Sequence, residues 1–149
     1  MRRRAERGRD LLVVDTSGLL AALDEDDPLH DAASQVIASE PGPLYMSPFV
    51  LQEIDYFVSD RIGNEPALRI LEDVRTGAYR LEPFDATDVG EAASVMRRYA
   101  DLSIGLADAS IVVIAARHGT ERILTLDRRH FRAIRPLTGG AFILLPEDA

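Results

Sequence analysis

Apolar and polar positions alternate along this chain between two periods. Four apolar residues, Leu11 to Val14, read as a short buried strand that ends at Asp15. Helical spacing follows through Leu19, Leu20 and Leu23. A second helix is predicted with Pro28 in its first turn and Ala32, Ala33, Val36 and Ile37 as its apolar face. Leu44 to Met46 is a strand, and Ser47-Pro48 supply an N-cap and a favoured first position for a helix over FVLQEIDYFVSD. A helix from about Glu65-Pro66 is expected to carry Leu68, Leu71 and Val74 inward and to stop at Gly77. A strand over Ala78 to Leu81 precedes a helix capped by Asp85 that runs to about Tyr99. The loop DLSIG leads into the apolar helix LADASIVVIAARHG, which Gly119 can end in a left-handed cap. Arg122 to Leu126 is a strand ending at Asp127, RRHFRAI a short helical turn, and Ala141 to Leu145 a last strand. Strands and helices alternate throughout, which predicts an α/β fold around a mostly parallel sheet.

Composition narrows the chemistry. The 149 residues suit one domain, with residues 1–10 expected to be a basic, disordered leader before a domain over 11–149. There are no cysteines, so thiol catalysis and zinc–thiolate sites are excluded. No stretch is long and apolar enough for a signal peptide or membrane span, and a cytoplasmic location is expected. All 17 basic residues are arginines, so any mechanism that needs a lysine is excluded. The net charge of −8 argues against a passive nucleic-acid coat but does not exclude a nuclease, whose site must itself be acidic to hold metal.

Four carboxylates stand out. Asp15 and Asp127 each follow an apolar strand, so both are expected at the carboxyl edge of the sheet, where ligands gather in parallel α/β folds. Glu53 has Phe49, Val50 and Phe57 as its helical neighbours and is predicted to face inward, while Asp55 falls on the opposite, exposed side. Asp108 opens a helix whose next eight residues include one polar side chain, Ser110. Each has an ordinary structural explanation when taken singly, as a cap, a dipole partner or a buried ion pair. Together they can converge on one crevice, and several close carboxylates stay ionised only beside a cation. An oxygen-only set suits Mg²⁺ or Mn²⁺. Thr125 can turn its hydroxyl toward the same place. No histidine is placed for a zinc site; His118, near a helix end, is read as a dipole partner. Arg97, Arg98, Arg128, Arg129, Arg132 and Arg135 are candidates for gripping phosphates.

The segments DTSGLLAAL, VLQEIDYF, GLADASIV and ILTLDRRHF resemble, in order and spacing, the four signature blocks of the PIN-domain ribonucleases, and more narrowly the VapC-type toxins. The resemblance covers about residues 11 to 145. It implies an α/β/α sandwich, Mg²⁺- or Mn²⁺-dependent RNA cleavage, a homodimer, and a small antitoxin protein that occludes the site. The family's acidic quartet falls on Asp15, Glu53, Asp108 and Asp127 and its hydroxyl on Thr125, with Asp15 and Asp108 as direct metal ligands. The leader before Leu11 is longer than the family's usual start, and Asp101 is an additional carboxylate outside the quartet. Two rivals remain to be weighed: an inactive PIN-like binding module, disfavoured because all four acidic positions are filled, and a phosphotransfer or phosphatase domain, disfavoured because no lysine is present.

Overall fold

The computed structural model describes residues 11–149, so the leader expected over residues 1–10 lies outside the described residues. Five short strands, β1 (Leu12–Val14), β2 (Leu44–Met46), β3 (Arg80–Leu81), β4 (Arg122–Leu124) and β5 (Ile143–Leu145), form one sheet. Seven helices accompany them: α1 (Thr16–Leu23), α2 (His30–Ser39), α3 (Pro48–Arg61), α4 (Asn64–Thr76), α5 (Ala86–Arg98), α6 (Leu106–His118) and α7 (Arg128–Phe131). The strand order is β3-β2-β1-β4-β5, and every pairing is parallel.

That order has a direct consequence. The chain moves outward from β1 through β2 to β3, then returns across the sheet to place β4 on the other side of β1. Right-handed crossovers then put α1 to α4 over one face and α5 and α6 over the other. The strand order reverses between β1 and β4, so the crevice beyond their carboxyl ends is the natural ligand position of the fold. Leu12, Val13, Val14, Ile123 and Leu124 are fully buried, as expected for strands covered on both faces.

Helix α1 comes unusually close to this junction. A Cβ at Gly18 would stand 2.5 Å from the Leu124 carbonyl oxygen and 2.6 Å from its carbon, both backbone atoms that cannot turn aside. Only a glycine lets the first turn of α1 lie against the end of β4. Opposite, α6 is buried from Ala109 to Ala115 and is held at its start by the Ser110–Ser47 hydroxyl pair at 2.6 Å, which ties it to the N-cap of α3. Ser47 also accepts from the Phe49 amide at 3.1 Å, and Gly119 ends α6 in the left-handed region at φ 64°.

Several expectations shift. The inward face of α4 is Ala67 and Ile70, whereas Leu68 and Leu71 are 56% and 39% exposed. Both stripes have helical spacing; the smaller side chain at Ala67 fits the close approach to α3. Helix α2 starts at His30, not at Pro28, because Asp24 and Asp27 build turns by accepting from the Asp26 and Leu29 amides at 3.0 and 2.8 Å. The last three strands are shorter than the apolar runs suggest, although Thr125 still donates its amide to Leu145 at 2.9 Å. His118 does more than complement a helix end: it bonds Glu82 and stacks on Tyr45 at 4.0 Å, while Arg117 reaches Glu82 and Asp88 at 3.0 Å each.

The contact at Gly18 is testable. Gly18→Ala is expected to destabilise the fold by about 1–3 kcal/mol, the usual cost of forcing extra volume into a packed site. A fall in the urea midpoint with an unchanged slope would show it; an unchanged midpoint would mean that α1 can draw back from β4.

Candidate active site

Asp15 is the N-cap residue of α1, yet its carboxylate caps nothing. Its amide donates to the Leu124 carbonyl at 2.9 Å, continuing the β1–β4 ladder, and its carbonyl accepts from Leu19 at 3.0 Å. The side chain, 4% exposed, instead faces the switch point. There Oδ2 accepts from the Thr125 hydroxyl at 2.6 Å and from the Ser17 hydroxyl at 3.0 Å. Ser17 and Thr125 are 3.2 Å apart, Ser17 also accepts from the Leu126 amide at 2.9 Å, and Thr125 from the Asp127 amide at 2.9 Å. Two hydroxyls thus lock the ends of β1 and β4 to one carboxylate oxygen.

The other carboxylates arrive from separate elements. Asp108, in the first turn of α6, accepts from the Gly105 amide at 3.3 Å, a weak cap that leaves its second oxygen available. Asp127 caps α7 through the His130 amide at 3.1 Å. Its other oxygen lies 2.8 Å from His130 Nδ1, and the same nitrogen is 3.7 Å from Asp108. One ligand atom from each of Asp108, Asp127 and His130 falls within 4.8 Å of the others. Glu53 accepts from the Thr16 hydroxyl at 3.0 Å through Oε1. Asp15, Glu53, Asp108 and Asp127 line one open cleft of about 380 Å³, and all four elements that carry them meet there.

Burial sets the electrostatics. It pushes the Asp15 carboxyl up to about 6 from its ordinary 3.8; the Thr125 and Ser17 hydroxyls oppose the shift and the negative charge of Asp108 adds to it. Asp108 is raised as well, chiefly by burial, with the Gly105 amide and His130 opposing and Asp127 reinforcing. The cleft therefore holds more negative charge than it can stabilise unaided. That excess, and a donor set of carboxylates with one imidazole, fit a divalent cation.

Three positions differ from expectation. Glu53 is half-buried at the rim of the cleft; the inward stripe of α3 is Val50, Ile54 and Val58, one position round the helix. Asp55 is partly buried, not exposed, and lies away from the cleft. His130, covered by the expectation that no histidine is placed for a zinc site, belongs to the acidic cluster, because capping by Asp127 turns the short α7 back toward Asp108. The arginines proposed to grip phosphate are largely committed elsewhere. Arg128 pairs with Glu147 at 2.8 Å, Arg132 with Asp148 at 2.6 Å, and Arg135 donates to the Gly140 carbonyl at 3.2 Å. Among the described residues, Arg61 is the basic side chain that lines the cleft. Only its place four residues after Phe57 and eight after Glu53 could have pointed to it.

Comparison with known proteins adds an independent line. The PIN domain family matches residues 12–136. Ribonuclease VapC26 of Mycobacterium tuberculosis is 44% identical over 135 residues, which is 91% of this chain and 100% of the relative. Among solved structures, VapC20 of Mycobacterium tuberculosis, a toxin that cleaves the sarcin–ricin loop, matches with a TM-score of 0.72 at 23% identity, covering 78% of this chain and 89% of that one. VapBC2 of Rickettsia felis, solved on a DNA fragment from its promoter, matches with a TM-score of 0.62 at 18% identity, covering 90% and 96%. At these identities the two structures speak for the fold.

The raised carboxyl of Asp15 has a sign that can be checked. Its folded value lies above its unfolded one, so between about pH 4 and pH 6 the folded state holds the extra proton. Stability is then greater below pH 4 and falls as pH rises toward 6, by about 3 kcal/mol for a shift of this size. In chelator-treated protein, Asp15→Asn should keep both hydroxyl bonds, raise stability at pH 7 by about 1–3 kcal/mol and flatten this slope. Denaturant melts across that pH range measure it; a destabilised variant with an unchanged slope would contradict the assignment.

Proposed function

This chain belongs to the PIN domain family, and from that membership we propose that it is a divalent-metal-dependent endoribonuclease, the toxin of a toxin–antitoxin pair. The observation that carries the reading is the convergence of Asp15, Glu53, Asp108 and Asp127 on one cleft at the switch point of the sheet. Identity of 44% over the whole of a curated ribonuclease supports the activity. The filled acidic positions argue against an inactive binding module.

Asp15 and Asp108 would hold the ion directly, Glu53 and Asp127 would complete the site, and His130 joins them through Asp127; Mg²⁺ and Mn²⁺ are the ions this donor set suits. When bound, the cation supplies charge that neutralises the phosphodiester and acidifies water. The chain's own groups set the geometry. Thr125 and Ser17 clamp Asp15 Oδ2 and so fix the orientation of a carboxylate that lines the cleft. Thr16 occupies Glu53 Oε1 and leaves Oε2 to orient an attacking water. Between Asp127 Oδ2 and His130 Nδ1 one proton can be held or passed. The family resemblance implies that water adds to phosphorus as the P–O3′ bond breaks and O3′ leaves with a proton, giving a 5′-phosphate and a 3′-hydroxyl.

An antitoxin belongs to the same reading, supported by the fold shared with a toxin–antitoxin complex. For an acidic chain and an acidic cleft, the occluding segment should be basic. No helix among the described residues is long and apolar enough to cross a membrane, and the proposed place of action is the cytoplasm, where RNA and antitoxin meet. Homodimerisation is also proposed, and sedimentation of the purified chain tests it.

Purified, antitoxin-free protein incubated with total RNA is expected to cleave only with Mg²⁺ or Mn²⁺ present. Asp108→Asn should lose more activity than the roughly 10–100-fold that loss of an outer supporting group costs, and Thr125→Val should fall within that range. Cleavage that persists in chelator, or survives Asp108→Asn, would refute the site.

A further inference from the structure

The proposed activity leaves one physical question open, namely what holds a polyanion in a cleft lined by carboxylates. Asp15, Asp27, Glu53, Asp108 and Asp127 all line it, and a single divalent ion offsets only part of their charge. Strand binding to RNA is dominated by cationic contacts to phosphate. Most arginines near acidic groups in this fold are spent on ion pairs, such as Arg117 with Glu82 and Asp88, and Arg132 with Asp148.

Arg61 is different. It is exposed, lines the cleft, and has no ion-pair partner among the described residues. Its guanidinium carbon stands 5.0 Å from the centroid of the Phe57 ring, another residue of the cleft. A guanidinium held over an aromatic face keeps its planar fork of N–H donors available at its edge, the geometry that suits phosphate oxygens. Glu53, Phe57 and Arg61 follow one another at four-residue spacing and so form one stripe of α3, running from the carboxylates outward. Two helical turns, about 12 Å, separate the first from the last. The phosphate that meets Arg61 is therefore a different one, further along the strand, from the one held at the carboxylates.

We propose that Arg61, propped on Phe57, is a substrate-binding residue that holds a non-scissile phosphate of the RNA strand. The proposal rests on the ribonuclease reading above, and the experiment separates the two. Wild-type protein, Arg61→Gln and Arg61→Lys are compared with Mn²⁺ on one short RNA that the wild type cuts, across a range of salt. Removing a contact made equally in ground and transition states raises KM and leaves kcat alone. For Arg61→Gln the expected result is a KM raised about tenfold with kcat within about twofold. The salt dependence of binding should also weaken by about 0.7 in log–log slope, the share of one phosphate on a single strand. Arg61→Lys should recover much of the KM and the whole slope, because it restores the charge without the fork. Circular-dichroism melts confirm that the exposed substitution leaves the fold intact. Unchanged KM and slope in Arg61→Gln beside an active wild type would overturn the proposal, as would a fall in kcat alone. A wild type that cuts no RNA would overturn the ribonuclease reading first, and the proposal with it.

Discussion

The close approach of α1 to β4 is the constraint on which the site depends. With no side chain at Gly18, the first turn of α1 rests against the Leu124 carbonyl. Asp15 and Ser17 then fall within hydrogen-bond reach of Thr125, although 110 and 108 residues separate them in sequence. Any displacement of α1 from β4 would open the Asp15–Thr125 bond of 2.6 Å and move Asp15 away from Asp108. The parallel order of the sheet creates the crevice, and this one contact gives it its width.

Function and stability pull against each other at the same place. A nearly buried carboxylate with a second one beside it is costly to ionise, and the fold answers with two hydroxyl donors on one oxygen rather than with an arginine. An ion pair at Asp15 would have been more comfortable for the protein alone, but it would have filled the position a cation needs. The arginines are placed accordingly. Arg117, Arg122, Arg128 and Arg132 tie the periphery together through Glu82, Glu40, Glu147 and Asp148, and only Arg61 among the described arginines lines the acidic cleft. Storing unfavourable charge where a ligand relieves it is the usual character of a functional site.

Much of this was legible in the sequence, for identifiable reasons. Asp15 and Asp127 follow short apolar runs, so their position at one sheet edge follows from alternation alone. Asp108 was visible as a carboxylate at the head of an otherwise apolar helix. Glu53 stands out by its apolar helical neighbours, but an apolar stripe specifies a helix face only to within about one residue, and Val50, Ile54 and Val58 are its centre. The same ambiguity exchanged Leu68 and Leu71 for Ala67 and Ile70 on α4. His130 and Arg61 were not legible as site residues. Their roles depend on where a four-residue helix turns and where the end of α3 lies relative to the cleft, which are tertiary facts with no periodic signature.

The proposed divalent-cation site places its electrostatic cost on Asp15. Calorimetric titration of the chelator-treated protein with Mn²⁺, in buffers of different ionisation enthalpy, tests it most directly by counting the protons that binding releases. With the Asp15 carboxyl raised to about 6, binding near pH 6 should release protons, and the release should fade as pH rises toward about 8. Absence of Mn²⁺ binding, or binding at pH 6 with no proton released, would refute a cation site at Asp15.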